Sequence, residues 1–178
     1  MLKKTLIGLA VLAVILFVAF QVLKSRTKSS SPEVKQTYSV GASKIDLFYC
    51  SHSKNGREIF GGMIKYGEVW RTGANEPTTF ATDKNLVIDG KKLPAGKYSL
   101  WTIPQQDSWT VIFNKEIPIW GDNTDGKAAR NDKTDVLQVN VPVEKLTNSQ
   151  EKLSIDANNN ALTIIWDMTK VSVPIVVE

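Results

Sequence analysis

The sequence predicts an antiparallel β-sandwich, or a partly open barrel, of about eight or nine strands, preceded by one transmembrane helix. Three observations carry this expectation. Residues 5–23 form an apolar run without a charged side chain. From Tyr38 onward, apolar and polar residues alternate with period two through most of the chain. Turn signals recur roughly every 8–12 residues and no amphipathic helical stripe interrupts them, as in sandwiches and barrels.

The apolar run comes first. At about 1.5 Å per residue, residues 5–23 would span about 28 Å, near the hydrocarbon thickness of a bilayer. Lys3 and Lys4 precede it, and Lys24, Arg26 and Lys28 follow. A cleaved signal sequence is the alternative, but its apolar part is usually only about 7–15 residues. "VAFQVLKSR" offers no small-x-small cleavage site, and no Cys follows for a lipoprotein cut. Charge is similar on both flanks, so the positive-inside rule does not orient the helix. The short tail, residues 1–4, favours the N-terminus inside and the domain outside. Residues 24–36, rich in Ser with a Pro and no periodicity, read as a flexible linker. The folded domain is expected at 37–178.

Within that domain "SKIDLFYCS" alternates, with Ile45, Leu47 and Tyr49 on one face. Asn55 and Gly56 form the strongest two-residue hairpin signal. "TTFATDKNLVIDGKKL" reads as two strands followed by a turn at Asp89 and Gly90. "GKYSLWTIPQQDSWTVIFNK" is the clearest hairpin, since β-branched and aromatic residues dominate both arms. "DVLQVNVPVEKL" continues the pattern, with Pro142 marking an edge strand or a bulge. "KLSIDANNNALTIIWDMTKVSVPIVV" gives three more strands, turning at residues 158–160 and 168–170. Residues 115–135 escape the alternation, and a polar loop of that length is a candidate binding loop.

Charge and composition remove several functions. The net charge is +4, but five of the 22 basic residues lie in the first 28 positions, where no acid occurs. The remaining 17 basic residues face 18 acidic ones. A near-neutral domain lacks the electrostatic footprint of nucleic-acid binding. Cys50 is the sole cysteine, so no internal disulfide forms, and an inert buried thiol is expected. His52 is the sole histidine and reads as a strand-end surface residue. A zinc site wants three or four such ligands. "GDNTDG" lacks the spacing of a calcium loop. No metal or cofactor is expected. No Gly-x-Ser-x-Gly elbow and no phosphate loop occur.

What remains is a set of indoles beside planar polar groups. Arg57, Trp70, Arg71, Asn75, Glu76, Asn114 and Trp120 would make a ligand-binding recess if gathered. Indoles stack on an apolar ligand face while Asn, Arg and Glu bond its rim. Glu68 and Glu76 bracket "WRTG", so two-carboxylate hydrolysis is a second reading. A third is structural, with Arg71, Asn75 and Glu76 joined in a buried network.

The blocks "GREIFGGMIKYGEVWRTGANEPTTF" and "GKKLPAGKYSLWTIPQQDSWTVIFNK", followed by "WG", resemble the bacterial family known as domain of unknown function 2911. The likeness covers roughly residues 38–178. It carries onto Gly56, Arg57, Tyr66, Gly67 and the run from Trp70 to Glu76. Further on it includes Pro94, Gly96, Tyr98, Trp109, Asn114, Trp120 and Gly121. The resemblance implies a β-rich envelope protein and supplies no activity. The resulting expectation is a single-pass protein of a bacterial cell membrane with its domain on the extracytoplasmic side. It would bind a carbohydrate- or peptide-like ligand, with a hydrolase using Glu76 as acid/base, or an assembly protein, as alternatives.

Overall fold

The computed structural model describes residues 2–158 and 160–178. They divide into two compact units, residues 1–30 and 31–178.

The first unit is a single helix, α1, Leu2–Ser30. Its segment Ile7–Ser30 is long and apolar enough to cross a membrane. Ile15, Phe17 and Phe20 are exposed on it. The helix runs past residue 23 into the stretch read as linker. It stops at Ser30 because Ser31 precedes Pro32, whose ring disfavours helical backbone at the residue before it. The first strand then begins at Glu33, inside the same stretch.

The second unit is one open, antiparallel nine-stranded sheet in the order β1-β2-β3-β6-β7-β8-β9-β4-β5. The strands are β1 Glu33–Val40, β2 Ser43–Cys50, β3 Thr78–Thr82, β4 Leu86–Ile88, β5 Lys91–Leu93, β6 Gly96–Pro104, β7 Ser108–Asn114, β8 Asp135–Asn158 and β9 Ala161–Val177. β8 is the pivot. Its first part pairs with β7 as far as Pro142, and from Val143 it pairs with β9. Pro142, which has no amide hydrogen, thus sits where the strand changes partner. The sheet folds over at this point, so side chains from both arms share one core. Leu47, Phe80, Leu100 and Val111 from one arm meet Leu86, Ile155, Ile164 and Val173 from the other.

The turn expected at residues 168–170 does not form. β9 runs straight through them, bent by a bulge at Asp167 with φ +52°. The bulge reverses the alternation: Leu162, Ile164 and Trp166 point inward before it, and Val171, Val173 and Ile175 after it. An inserted residue has that effect because side-chain period is two. The Asp167 carboxylate is held by Lys54 Nζ at 2.5 Å and Ser149 Oγ at 2.8 Å. Asn55 and Gly56 do form their turn, with φ of +48° and +71° and Arg57 N donating to Lys54 O at 3.1 Å. No second hairpin strand follows. Residues 57–77 make only isolated bridges. Residues 115–135 lie over the outer face of the sheet: Glu116 O accepts from Ser99 Oγ at 2.6 Å, and Gly121 N donates to Asn75 O at 2.9 Å.

Candidate functional site

The site begins with a loop expelled from a strand. Trp70 and Thr102 of β6 exchange backbone hydrogen bonds of 2.7 and 2.9 Å. Two residues back along β6, Leu100 pairs with Thr78 of β3. The ladder therefore runs from Trp70 to Thr78, and the residues between them leave the sheet as a loop. Thr78 closes its base: Thr78 N donates to Arg71 O at 3.2 Å, and Thr78 Oγ1 to Thr72 O at 2.7 Å. Thr72 and Asn75 hold φ of +56° and +59°. A β-branched residue there is strained, at a cost of roughly 1–3 kcal/mol. Thr72 Oγ1 is anchored against Thr102 Oγ1 at 3.1 Å. Backbone strain of this kind clusters at functional sites.

Beneath the loop lies an aromatic cluster. Trp70 and Trp166 stack with centroids 6.0 Å apart and planes 22° from parallel. Phe60 meets Trp70, Trp109 and Trp166 edge-on. Both stacked indoles are bonded, Trp70 Nε1 to Gly73 O at 3.0 Å and Trp166 Nε1 to Glu151 O at 3.2 Å. Their orientation is therefore fixed.

Above this pair opens a hollow of about 390 Å³. Met63 and Val69 line it with accessible apolar surface, Trp70 and Trp166 lie buried beneath as core (8% and 1% exposed), and His52, Lys65, Glu68, Arg71 and Asp122 supply its polar walls. Arg71 Nη1 is ion-paired with Asp122 Oδ2, both side chains half-buried. The Arg71 stem passes over Gly121, where any β-carbon would overlap it. Arg71 Nε is buried and makes no hydrogen bond.

His52 is half-buried on this wall, not a plain surface residue. Its ring stands edge-on to Trp166, 5.9 Å between centroids. Nε2 lies 2.7 Å from Arg57 Nη2, and Nδ1 lies 2.5 Å from Ser31 Oγ. A guanidinium can only donate, so Nε2 must accept and Nδ1 must carry the proton. The imidazole is thus neutral. Burial first, then the charges of Arg57 and Arg71, hold its pKa below the usual value. With its proton directed at Ser31, this histidine is not oriented as a base toward that hydroxyl.

The structure brings some of the expected residues together and separates others. Trp70 and Arg71 line the hollow, and Arg57 reaches its wall through His52. Asn75 is buried behind it, with its carbonyl on Gly121 N and its Nδ2 without a hydrogen bond. Glu76 lies behind it too, 3.5 Å from Cys50 Sγ. Burial, reinforced by the Glu76 charge, pushes the Cys50 thiol up to about 11, so it stays protonated and inert. Trp120 is exposed on the loop before Gly121 and lines no part of the hollow. Asn114 is remote from it and fully buried. Its Nδ2 donates to Asn131 O and Asp135 Oδ1, and its Oδ1 accepts from Glu116 N and Thr134 Oγ1. It fixes the corner between β7 and β8. Sequence reasoning missed His52, Lys65, Asp122 and Trp166. Asp122 alone carried a local signal, standing two residues past Trp120 in "WGD". Among the described residues, no three His, Cys, Asp or Glu side chains converge on a metal position.

A family model described as "Protein of unknown function (DUF2911)" matches residues 31–175, and the chain belongs to that family. No curated protein and no solved structure matches the chain.

Proposed function

We propose that this DUF2911 protein is a membrane-anchored binding module whose hollow takes an uncharged carbohydrate. The observation that carries the reading is the ion pair of Arg71 with Asp122, set beside a stacked pair of indoles. A sugar hydroxyl both donates and accepts, so it can bond the carboxylate and the guanidinium together. The accessible apolar surface of Met63 and Val69, above the buried indoles, suits the hydrocarbon face of a pyranose ring. Lys65 and Arg71 offset Glu68 and Asp122, and His52 is neutral, so the walls favour a ligand without net charge. The strained loop fixes the backbone of Arg71 before any ligand arrives, which reduces the entropy lost on binding.

The apolar stretch of α1 supports anchorage in a bacterial cell membrane. A hydrolase using Glu76 is less well supported, because Glu76 faces Cys50 and not the hollow. The structural reading draws on the tie between Asn75 O and Gly121 N.

The test is thermal unfolding of the full chain, in a detergent without sugar headgroups, against panels of neutral saccharides and short peptides. A ligand at about 100 times its Kd stabilises by about 2.7 kcal/mol. A shift with saccharides that vanishes in Arg71→Gln supports the proposal. A shift with peptides alone, or none with either panel, overturns it.

A further inference from the structure

We infer that the ligand is an oligosaccharide of at least two units, lying along a trough of which the hollow is one half; this rests on the saccharide reading above. Beside the hollow is a second recess of about 430 Å³, walled by Glu68, Val69, Asp122, Gly126, Lys127 and Ala128. The first four of these also wall the hollow. The two recesses are thus neighbouring compartments that meet at Glu68 and Asp122. The far compartment is formed by a tight hairpin. Asp122 bridges Ala128, Asn123 N donates to Lys127 O at 2.8 Å, and Ala129 N donates to Gly121 O at 2.9 Å. At the junction Gly126 has φ +80°, and a β-carbon there would meet nothing within 4 Å. A glycine is the favoured residue for that backbone.

The position of the carboxylates sets the chemistry. Glu68 and Asp122 border both compartments, so hydroxyls of two successive sugar units can donate to them from either side. Arg71 supplies donors on one side of the junction and Lys127 on the other. A single sugar fills one compartment and forgoes the contacts of the second. A linked pair gains both sets while losing overall translational and rotational freedom only once. The protein selects for chain length as well as for sugar.

The test is isothermal titration calorimetry of the full chain, in a detergent without sugar headgroups. The probes are the mono-, di- and tetrasaccharides of α-1,4-linked glucose and β-1,4-linked N-acetylglucosamine. In the series that binds, affinity should rise at least about tenfold from one unit to two, equivalent to about 1.4 kcal/mol. Ala128→Arg, which fills the far compartment, should remove that rise and leave monosaccharide binding in place. Lys127→Ala, at an exposed position, should reduce it without risk to the fold. Equal affinity for one unit and four, unchanged in both variants, overturns the two-compartment trough and leaves the saccharide reading standing. Binding by no member of either series overturns both.

Discussion

Arg71 occupies the space that a side chain on Gly121 would need. A β-carbon at that glycine would overlap the Arg71 Cδ and lie 2.9 Å from the Asn75 carbonyl oxygen. The end of the arginine can swing aside, but its Cβ, also 2.9 Å away, and the carbonyl are fixed by the backbone of the strained loop, and the carbonyl also accepts from Gly121 N. Gly121→Ala should therefore cost about 1–3 kcal/mol through overpacking and draw Arg71 away from Asp122. Urea unfolding would show the lowered midpoint, and saccharide titration the lost response. A fully stable, ligand-responsive variant would mean that the close approach has no consequence.

The ion pair itself should add little stability. Arg71 and Asp122 side chains are 23% and 33% exposed, and pairs in contact with water contribute about 0–1 kcal/mol. Arg71→Gln and Asp122→Asn should each unfold within about 1 kcal/mol of the parent and each abolish the saccharide response. If either variant lost several kcal/mol instead, the pair would be a structural tie.

Asn114 should behave in the opposite way. It is fully buried, and Asn114→Ala removes the acceptor of the Glu116 amide and one donor each from Asp135 and Asn131, which keep Arg130, Gln138 and Thr134 as partners. Net loss of a hydrogen bond costs roughly 0.5–1.5 kcal/mol, and four are removed at a buried corner whose partners keep other bonds or reach water, so a loss of about 2 kcal/mol is expected. Saccharide affinity should be unchanged below the melting point. A ligand defect in a variant of normal stability would return Asn114 to the binding site.

His52 makes stability depend on pH. Its pKa is lowered from 6.5 in the folded protein. Between the folded and unfolded values the unfolded chain binds more protons, so stability rises with pH across that window. The contribution is complete above about pH 6.5 and is lost as pH falls through the folded value. Protonation would also remove the acceptor that Arg57 uses. Denaturant midpoints from pH 7.5 down to 5 should decline in the parent and decline less in His52→Gln. Parallel curves would remove His52 as the cause.

The sheet was largely legible in the sequence, because period-two alternation depends on nearest neighbours. The hairpin of β6 and β7, the turn at Asp89 and Gly90, and the inward face of β2 all follow from it. The failures came where a distant partner decides the outcome. "DMTK" reads as a turn, yet Asp167 bends the strand without reversing it, held by Lys54 from far along the chain. "PEVKQ" looks like linker, yet it becomes an edge strand because β2 offers a complementary ladder. The "WRTG" segment could be recognised as unusual, and Trp70 and Arg71 do meet at a hollow. The partners of Arg71 and His52 could not be read, since Asp122 and Ser31 reach them through tertiary packing. Asn114 looked like a ligand contact for the same reason: a polar residue ending a strand reads identically whether it faces water or closes a corner.

The most direct measurement uses the five indole N–H signals of the full chain in a ¹⁵N-resolved NMR spectrum. Neutral saccharide added to the protein should move the Trp70 and Trp166 signals, which border the hollow, and leave Trp101, Trp109 and Trp120 in place. Movement confined to Trp120, or no movement at saturating sugar, would contradict the account.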